Sequence, residues 1–431
     1  MAAAGSAVGL GNIWKFPYMT GENGGGAFLL IYLACIVVFG LSLVLAELLI
    51  GRMAQRTPVA AFREVAGRGW SMVGGLGVLT AFVILSFYIV VAGWTIAYML
   101  FELNGTLATT DAKALEGVFT QLVGGTWQPI IYAAVFMIVN VIVVVGGVGK
   151  GIERASKLLM PALFVLLVIL VVRSVTLPGA AAGINFFLVP DFSKVTGDTL
   201  TAAIGQAFFS LSLGMGAMLT YGSYLPRDRN LPTDALAVVS LDTLIAVLAG
   251  FMVIPAMFAA GMEPGSGGAG TTFMVLPAVF DAMPGGPIFG FAFFLLLAVA
   301  ALTSSVSLLE TVVCYFVDEF KVSRTKATTL SALACFALAI PSSLSFGLMS
   351  GETFFGLSFF DLLDYLTSSI ALPLGGLLTA ICLGWVIGPR AITAISNQGR
   401  LSVPWANAWL FVLRFVAPLG IGWILVHGLF F

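Results

Sequence analysis

The chain has 431 residues, of which 60% are hydrophobic and 9% charged, with a formal net charge of -1. Soluble domains carry about 25% charged residues, so this composition, with a mean hydropathy of +1.08 and a pI near 5.9, excludes a soluble globular protein and leaves no basic excess for nucleic acid. It calls for an all-α polytopic membrane protein whose partner is the lipid bilayer, and the oligomeric state is not readable from it.

The first element is the most unusual. Gly5-Ser6-Ala7-Val8-Gly9-Leu10-Gly11-Asn12 is apolar enough for a membrane but unfit for an unbroken helix, since each interior glycine costs about 1 kcal/mol relative to alanine. A break there frees amides and carbonyls at mid-membrane, which is tolerated only where they line a cavity and can hold an ion or a polar ligand. Apolar runs read against Gly, Pro and charge punctuation then give about eleven spans, each of roughly 20 residues. They lie near 1–22, 26–51, 70–101, 128–147, 155–175, 198–224, 233–261, 286–317, 325–346, 360–386 and 405–428. The apolar segments recur along the chain instead of forming one amino-terminal run, so no cleaved signal peptide is expected.

Lys and Arg set the expected orientation. Arg52, Arg56, Arg63 and Arg68 follow span two, Arg227 and Arg229 follow span six, and Lys321, Arg324 and Lys326 follow span eight. The alternate loops hold mainly carboxylates such as Glu102, Asp111, Asp191 and Glu263. The positive-inside rule then puts the amino terminus in the cytoplasm and, with an odd number of spans, the carboxyl terminus outside the plasma membrane.

Span six answers span one. Phe208-Phe209-Ser210-Leu211-Ser212-Leu213-Gly214-Met215-Gly216 again combines small polar residues and close glycines in an apolar run. Two inverted repeats, 1–175 and 197–386, with an added span at 404–428, are the expected organisation. Span eight adds three consecutive hydroxyls, Thr303-Ser304-Ser305; isolated membrane hydroxyls usually bond back to their own helix, but three in a row suggest oxygen ligands for a hard monovalent cation. The only histidine, His427, lies at the far end of the chain, which argues against a His/Cys metal site and leaves an intramembrane serine hydrolase without a base. Cys35, Cys314, Cys335 and Cys382 read as buried free thiols. Glu47 is expected to accept hydrogen bonds from the amides of a broken helix. Asp242, with no basic neighbour in sequence, is expected to balance a bound cation.

Together, Gly5 to Tyr18, Glu22-Asn23-Gly24-Gly25-Gly26-Ala27-Phe28, Ser210 to Gly216 and Leu302-Thr303-Ser304-Ser305 resemble the neurotransmitter:sodium symporters, over nearly the whole chain. The resemblance is to the bacterial eleven-span carriers of hydrophobic amino acids and implies no enzymatic chemistry. It implies two sodium ions, one at Ala7, Asn12, Ser210 and Asp242 and touching the substrate carboxylate, the other among Gly5, Val8, Ala300, Thr303 and Ser304. The carboxylate would meet the Leu10 and Gly11 amides and the Tyr88 hydroxyl. The ammonium would face carbonyls of Ala7, Phe209 and Ser210 with Ser212, and the side chain would fill a pocket of Ile84, Phe209, Met215, Ser304 and Leu308. Lys15 and Asp364 would be the outer gate, where the family usually has arginine for Lys15. Asp318 would serve the inner gate, although the basic residue expected opposite it is not in this sequence. The implied function is sodium-coupled symport of a hydrophobic or aromatic amino acid by alternating access. The alternatives are a same-fold carrier of a betaine or amine, or a non-transporting or channel-like membrane protein.

Overall fold

The computed structural model describes residues 8–265 and 268–430, with side chains described for all of these but 148–159 and 428–430. Gly5 and Ala7, both expected at the site, lie outside the described residues. Among the described residues the chain is helical, and its β pairing amounts to isolated bridges between Gly25 and Pro190 and between Phe354 and Leu357.

Among the described residues eight helices are long and apolar enough to cross a membrane: Gly26–Ala54, Arg68–Asn104, Gln128–Gly146, Leu231–Ala259, Gly286–Phe320, Arg324–Leu344, Phe359–Ile387 and Ala406–His427. They correspond to expected spans two, three, four, seven, eight, nine, ten and eleven. Span five lies within the helix Val148–Val175, and beyond its expected end the chain turns by 114° into a second helix, Ala180–Leu188. Its hinge is 176–179, where Gly179 adopts a left-handed φ of 90°. Short helices also form where the sequence suggested loops, as at Ala112–Gly124, whose first turn is capped by the Asp111 carboxylate accepting from the Lys113 amide at 3.0 Å.

The two remaining spans are those where a break was expected; it is seen in span six, whereas the residues before the helix of span one lie outside the described ones. Span six starts at Gly197 under a capping box between Thr196 and Thr199, stops at Ser210 and resumes as Ala217–Ser223. Between them Ser212, Gly214 and Gly216 have φ of 56°, 74° and 76°, so a right-handed helix cannot continue. A Cβ at Gly214 would collide with the Leu372 carbonyl, which makes glycine obligatory both for conformation and for packing against span ten. Span one begins its described helix at Leu10 and runs through a π-helical turn, Gly11–Lys15, into Phe16–Glu22. π turns are rare and concentrate at functional sites; another, Tyr365–Ala371 in span ten, faces the first through Lys15 and Ser368.

The core gathers around these two spans. Spans three and eight pack extensively against each other, span seven packs on the π turn of span one, and Ala217–Ser223 packs on span two. Leu10, Ile13, Trp14, Phe208 and Leu211 are fully buried. Val37, Ile131, Ile142 and Leu419 instead stand on the outer surface, as a protein solvated by lipid requires.

Candidate functional site

The site grows from backbone groups at the start of the described helix of span one and at the break in span six. At the start of span one the Gly9 amide donates to the Asn12 side-chain oxygen at 3.0 Å, and the Leu10 amide donates to the Tyr88 hydroxyl at 3.2 Å. Gly9 permits this approach, since a Cβ there would overlap Ser304 Oγ and stand 3.0 Å from the Tyr88 hydroxyl. In span six, the Gly214 amide donates to Glu47 Oε1 at 2.7 Å, the service the sequence suggested for that glutamate.

Asn12, Ser210 and Asp242 form a buried polar knot joining spans one, six and seven. Asn12 Nδ2 donates to Ser210 Oγ at 3.0 Å, the Asp242 carbonyl at 3.0 Å and Asp242 Oδ1 at 2.7 Å, while Ser210 Oγ donates to Asp242 Oδ2 at 2.6 Å. Three acceptors thus converge on a nitrogen with two hydrogens, so oxygens outnumber donors there. Asp242 is fully buried, and no basic side chain pairs with it among the described residues. Burying an unpaired carboxylate costs several kcal/mol, and a monovalent cation in an all-oxygen environment removes that cost. Gln206, not anticipated from sequence, buttresses the same region by donating from Nε2 to the Gly11 carbonyl at 2.8 Å. A single buried glutamine carries no periodic signal that would have marked it.

On span eight, Thr303 Oγ1 and Ser304 Oγ both bond the Ala300 carbonyl, at 2.8 and 3.4 Å. The three residues therefore cluster on one helical turn, with Ser304 against Gly9 and Val8 buried nearby in the same core. His/Cys/Asp/Glu groups able to hold a metal are absent among the described residues, whereas hydroxyl and carbonyl oxygens of low charge suit an alkali cation.

Between these two clusters lies a small cavity. Gly9, Gly11, Tyr88, Ser210, Ser212 and Ser304 give it a polar side, and Ile84, Phe209, Met215 and Leu308 an apolar one. It brings together every described residue expected at the substrate site except Leu10, whose backbone N–H donates a hydrogen bond to the Tyr88 hydroxyl on its lining; Gly9 is an addition. Ala300, Thr303, Asn12 and Asp242 stand behind this lining.

Above Phe209, Lys15 is 1% exposed and its ammonium contacts the Asp364 carboxylate, donates to Ser368 Oγ at 2.9 Å and lies 4.3 Å from the Phe209 ring centroid. Lysine lacks the fork of arginine, and here three dissimilar partners hold its single ammonium. At the other end of the molecule Asp318 lines a cleft with Arg56, Arg63, Glu64, Glu319 and Lys321. The ion pairs in that cleft join Arg63 to Glu319, one residue further on, at 2.7 and 3.1 Å, and Arg56 to Glu64 at 3.9 Å. Arg52 is buried and donates to the carbonyls of Arg229 and Ala394 at 2.7 and 2.6 Å and to Asn397 Oδ1 at 2.8 Å, tying span two to the segments that follow spans six and ten. Cys35, Cys314, Cys335 and Cys382 are buried and unpaired.

Known proteins resemble this chain along its length. The chain is 39% identical over 423 residues to a Bacillus subtilis protein described as uncharacterized sodium-dependent transporter YhdH, covering 98% of this chain and 94% of that one. It is also 39% identical over 442 residues to an uncharacterized sodium-dependent transporter of Haemophilus influenzae, covering 100% and 96%. The crystal structure of MhsT in complex with L-phenylalanine superimposes with a TM-score of 0.95 at 46% identity, over 99% of this chain and 97% of MhsT. The sodium:neurotransmitter symporter family matches residues 1–118 and 119–430, and with that match running the length of the chain, the protein belongs to this family of sodium-dependent membrane transporters.

Proposed function

We propose that this transporter couples the downhill movement of sodium to uptake of a hydrophobic or aromatic L-amino acid across the plasma membrane. The observation that carries the reading is the cavity itself, with freed amides and hydroxyls of spans one, three and six on one side and Ile84, Met215 and Leu308 on the other. The helix start at Leu10 presents amides to a carboxylate, as a helix amino end favours. The apolar side accepts a side chain without hydrogen-bonding groups. One sodium ion is assigned to Asn12, Ser210 and Asp242 with Ala7, and a second to Val8, Ala300, Thr303 and Ser304 with Gly5. That L-phenylalanine is the ligand in the MhsT structure supports the same substrate class here.

In the accompanying cycle Lys15 and Asp364 close the outer side, and the Arg63–Glu319 cleft beside Asp318 closes the inner one, with the amino terminus cytoplasmic and the carboxyl terminus outside. Segments 1–175 and 197–386 act as inverted repeats around the fixed site, with 404–428 as an added span. An amine is less well matched, because the residues that line the cavity include no carboxylate to pair with its ammonium. The test is binding of each of the twenty amino acids to purified protein in sodium and in choline. Sodium-dependent binding of leucine, phenylalanine or tryptophan is expected. Binding that is equal in the two cations, or confined to charged amino acids or amines, overturns the reading.

A further inference from the structure

A wide apolar groove lies away from the transport site, between spans three, eight and nine at the basic end of the molecule. Its volume is about 480 Å³ and its walls are apolar: Leu79 and Phe82 from span three, Val312 and Phe316 from span eight, Leu330 and Ala334 from span nine. Leu79 and Leu330 are 59% and 55% exposed, so the groove opens sideways onto the surface that the bilayer covers. Its floor is notched at Gly75, where an added Cβ would meet nothing within 4 Å.

Cations cap the apolar stripes that form this groove. Arg68, Met72, Gly75 and Leu79 recur at the spacing of one helix face, and so do Lys326, Leu330 and Ala334. In both, the exposed cation stands at the basic end and the apolar residues run toward mid-membrane. Lys321 adjoins Val322 on the rim. No ion pair engages Arg68, Lys321 or Lys326 among the described residues, whereas Arg324 is held by Glu310 at 2.5 Å and does not belong to the rim. Tyr315, Phe316 and Phe320 cluster at the same level with ring centroids 5.3 to 5.8 Å apart, the aromatic placement typical of a membrane–water interface.

From this complementarity we infer that the groove is a binding site for one anionic phospholipid of the cytoplasmic leaflet, its acyl chain lying between spans three, eight and nine and its phosphate between Arg68 and Lys326. Basic recesses between helices on the cytoplasmic side suit acidic head groups. The leaflet assignment rests on the orientation proposed above; the site itself does not depend on sodium or substrate.

The full-length protein, stripped of co-purified lipid in detergent, is titrated with phosphatidylglycerol or phosphatidylcholine and observed by native mass spectrometry. One saturable phosphatidylglycerol adduct is expected, retained at collision energies that remove phosphatidylcholine. At about fivefold per cation, Arg68→Gln with Lys326→Gln weakens it roughly 25-fold. Gly75→Trp fills the notch and abolishes the adduct, while Gly75→Ala, which improves helix propensity and leaves the groove open, keeps it. Equal retention of the two lipids, or an adduct indifferent to the double variant and to Gly75→Trp, overturns the proposal in favour of annular lipid. A dimer in the same spectra that Gly75→Trp dissociates overturns it in favour of a second copy in the groove. Because the readout is lipid mass, loss of sodium-coupled binding would refute the transport reading without touching this one.

Discussion

Replacing Asp242 by asparagine removes the one carboxylate in contact with Asn12 and Ser210 while keeping the volume of the side chain. The hydrogen bonds at 2.6 and 2.7 Å place its oxygens within the polar knot. A cation sharing that knot stands on the order of 4 Å from the carboxylate, and at an effective dielectric of about 20 their attraction is ~4 kcal/mol. Relaxation and the remaining oxygen ligands reduce this to ~2 kcal/mol at the lower end, so sodium affinity should fall between about 30-fold and 1000-fold. Two sodium ions with a zwitterion carry two net positive charges, and a fixed carboxylate offsets one of them. Uptake by the unaltered protein should therefore be the same in chloride and in gluconate, and the Asp242→Asn variant should be weak and stimulated by chloride. The assay is sodium-driven amino-acid uptake into proteoliposomes, with sodium varied in each anion. Uptake by the unaltered protein that collapses in gluconate, or a variant with unchanged sodium affinity, refutes the reasoning.

Thr303→Ala and Ser304→Ala remove hydroxyls from the Ala300 turn; each should weaken sodium binding and, by reciprocal linkage, substrate binding by about 5- to 150-fold, as read by isothermal titration in sodium. Met215 lines the cavity between two glycines of left-handed φ, so Met215→Phe, which exchanges an adaptable side chain for a rigid one, should lower competition by tryptophan at least tenfold while sparing valine and leucine. Lys15→Ala leaves Asp364 and Ser368 without their shared donor; a double-mutant cycle with Asp364→Asn should show a coupling of about 1.5–3 kcal/mol in substrate affinity, and additive effects would remove this pair from the outer gate.

The membrane class, the helical content and the interruption of span six were legible in sequence because they depend on local properties. Hydrocarbon demands long apolar runs, and closely spaced glycines and small polar residues break them wherever they occur. Gly214 and Gly216 are recognisable as helix breakers in any context, and Glu47 and Asp242 stand out because a carboxylate in an apolar run needs a reason to be there. Tertiary structure alone decided which groups answer one another. That three oxygens crowd the Asn12 amide, that Gln206 reaches the Gly11 carbonyl and that Lys15 contacts Asp364, Ser368 and Phe209 at once are contacts across hundreds of residues, on which helical periodicity is silent. The same holds for the bend after Val175, set by how Ala180–Leu188 packs on spans two and seven, and for Arg52, which looked like a surface charge and is buried among backbone carbonyls. A hydrophobic pattern reports the solvent each face prefers; the partner that a buried polar group finds there is fixed only when the helices meet.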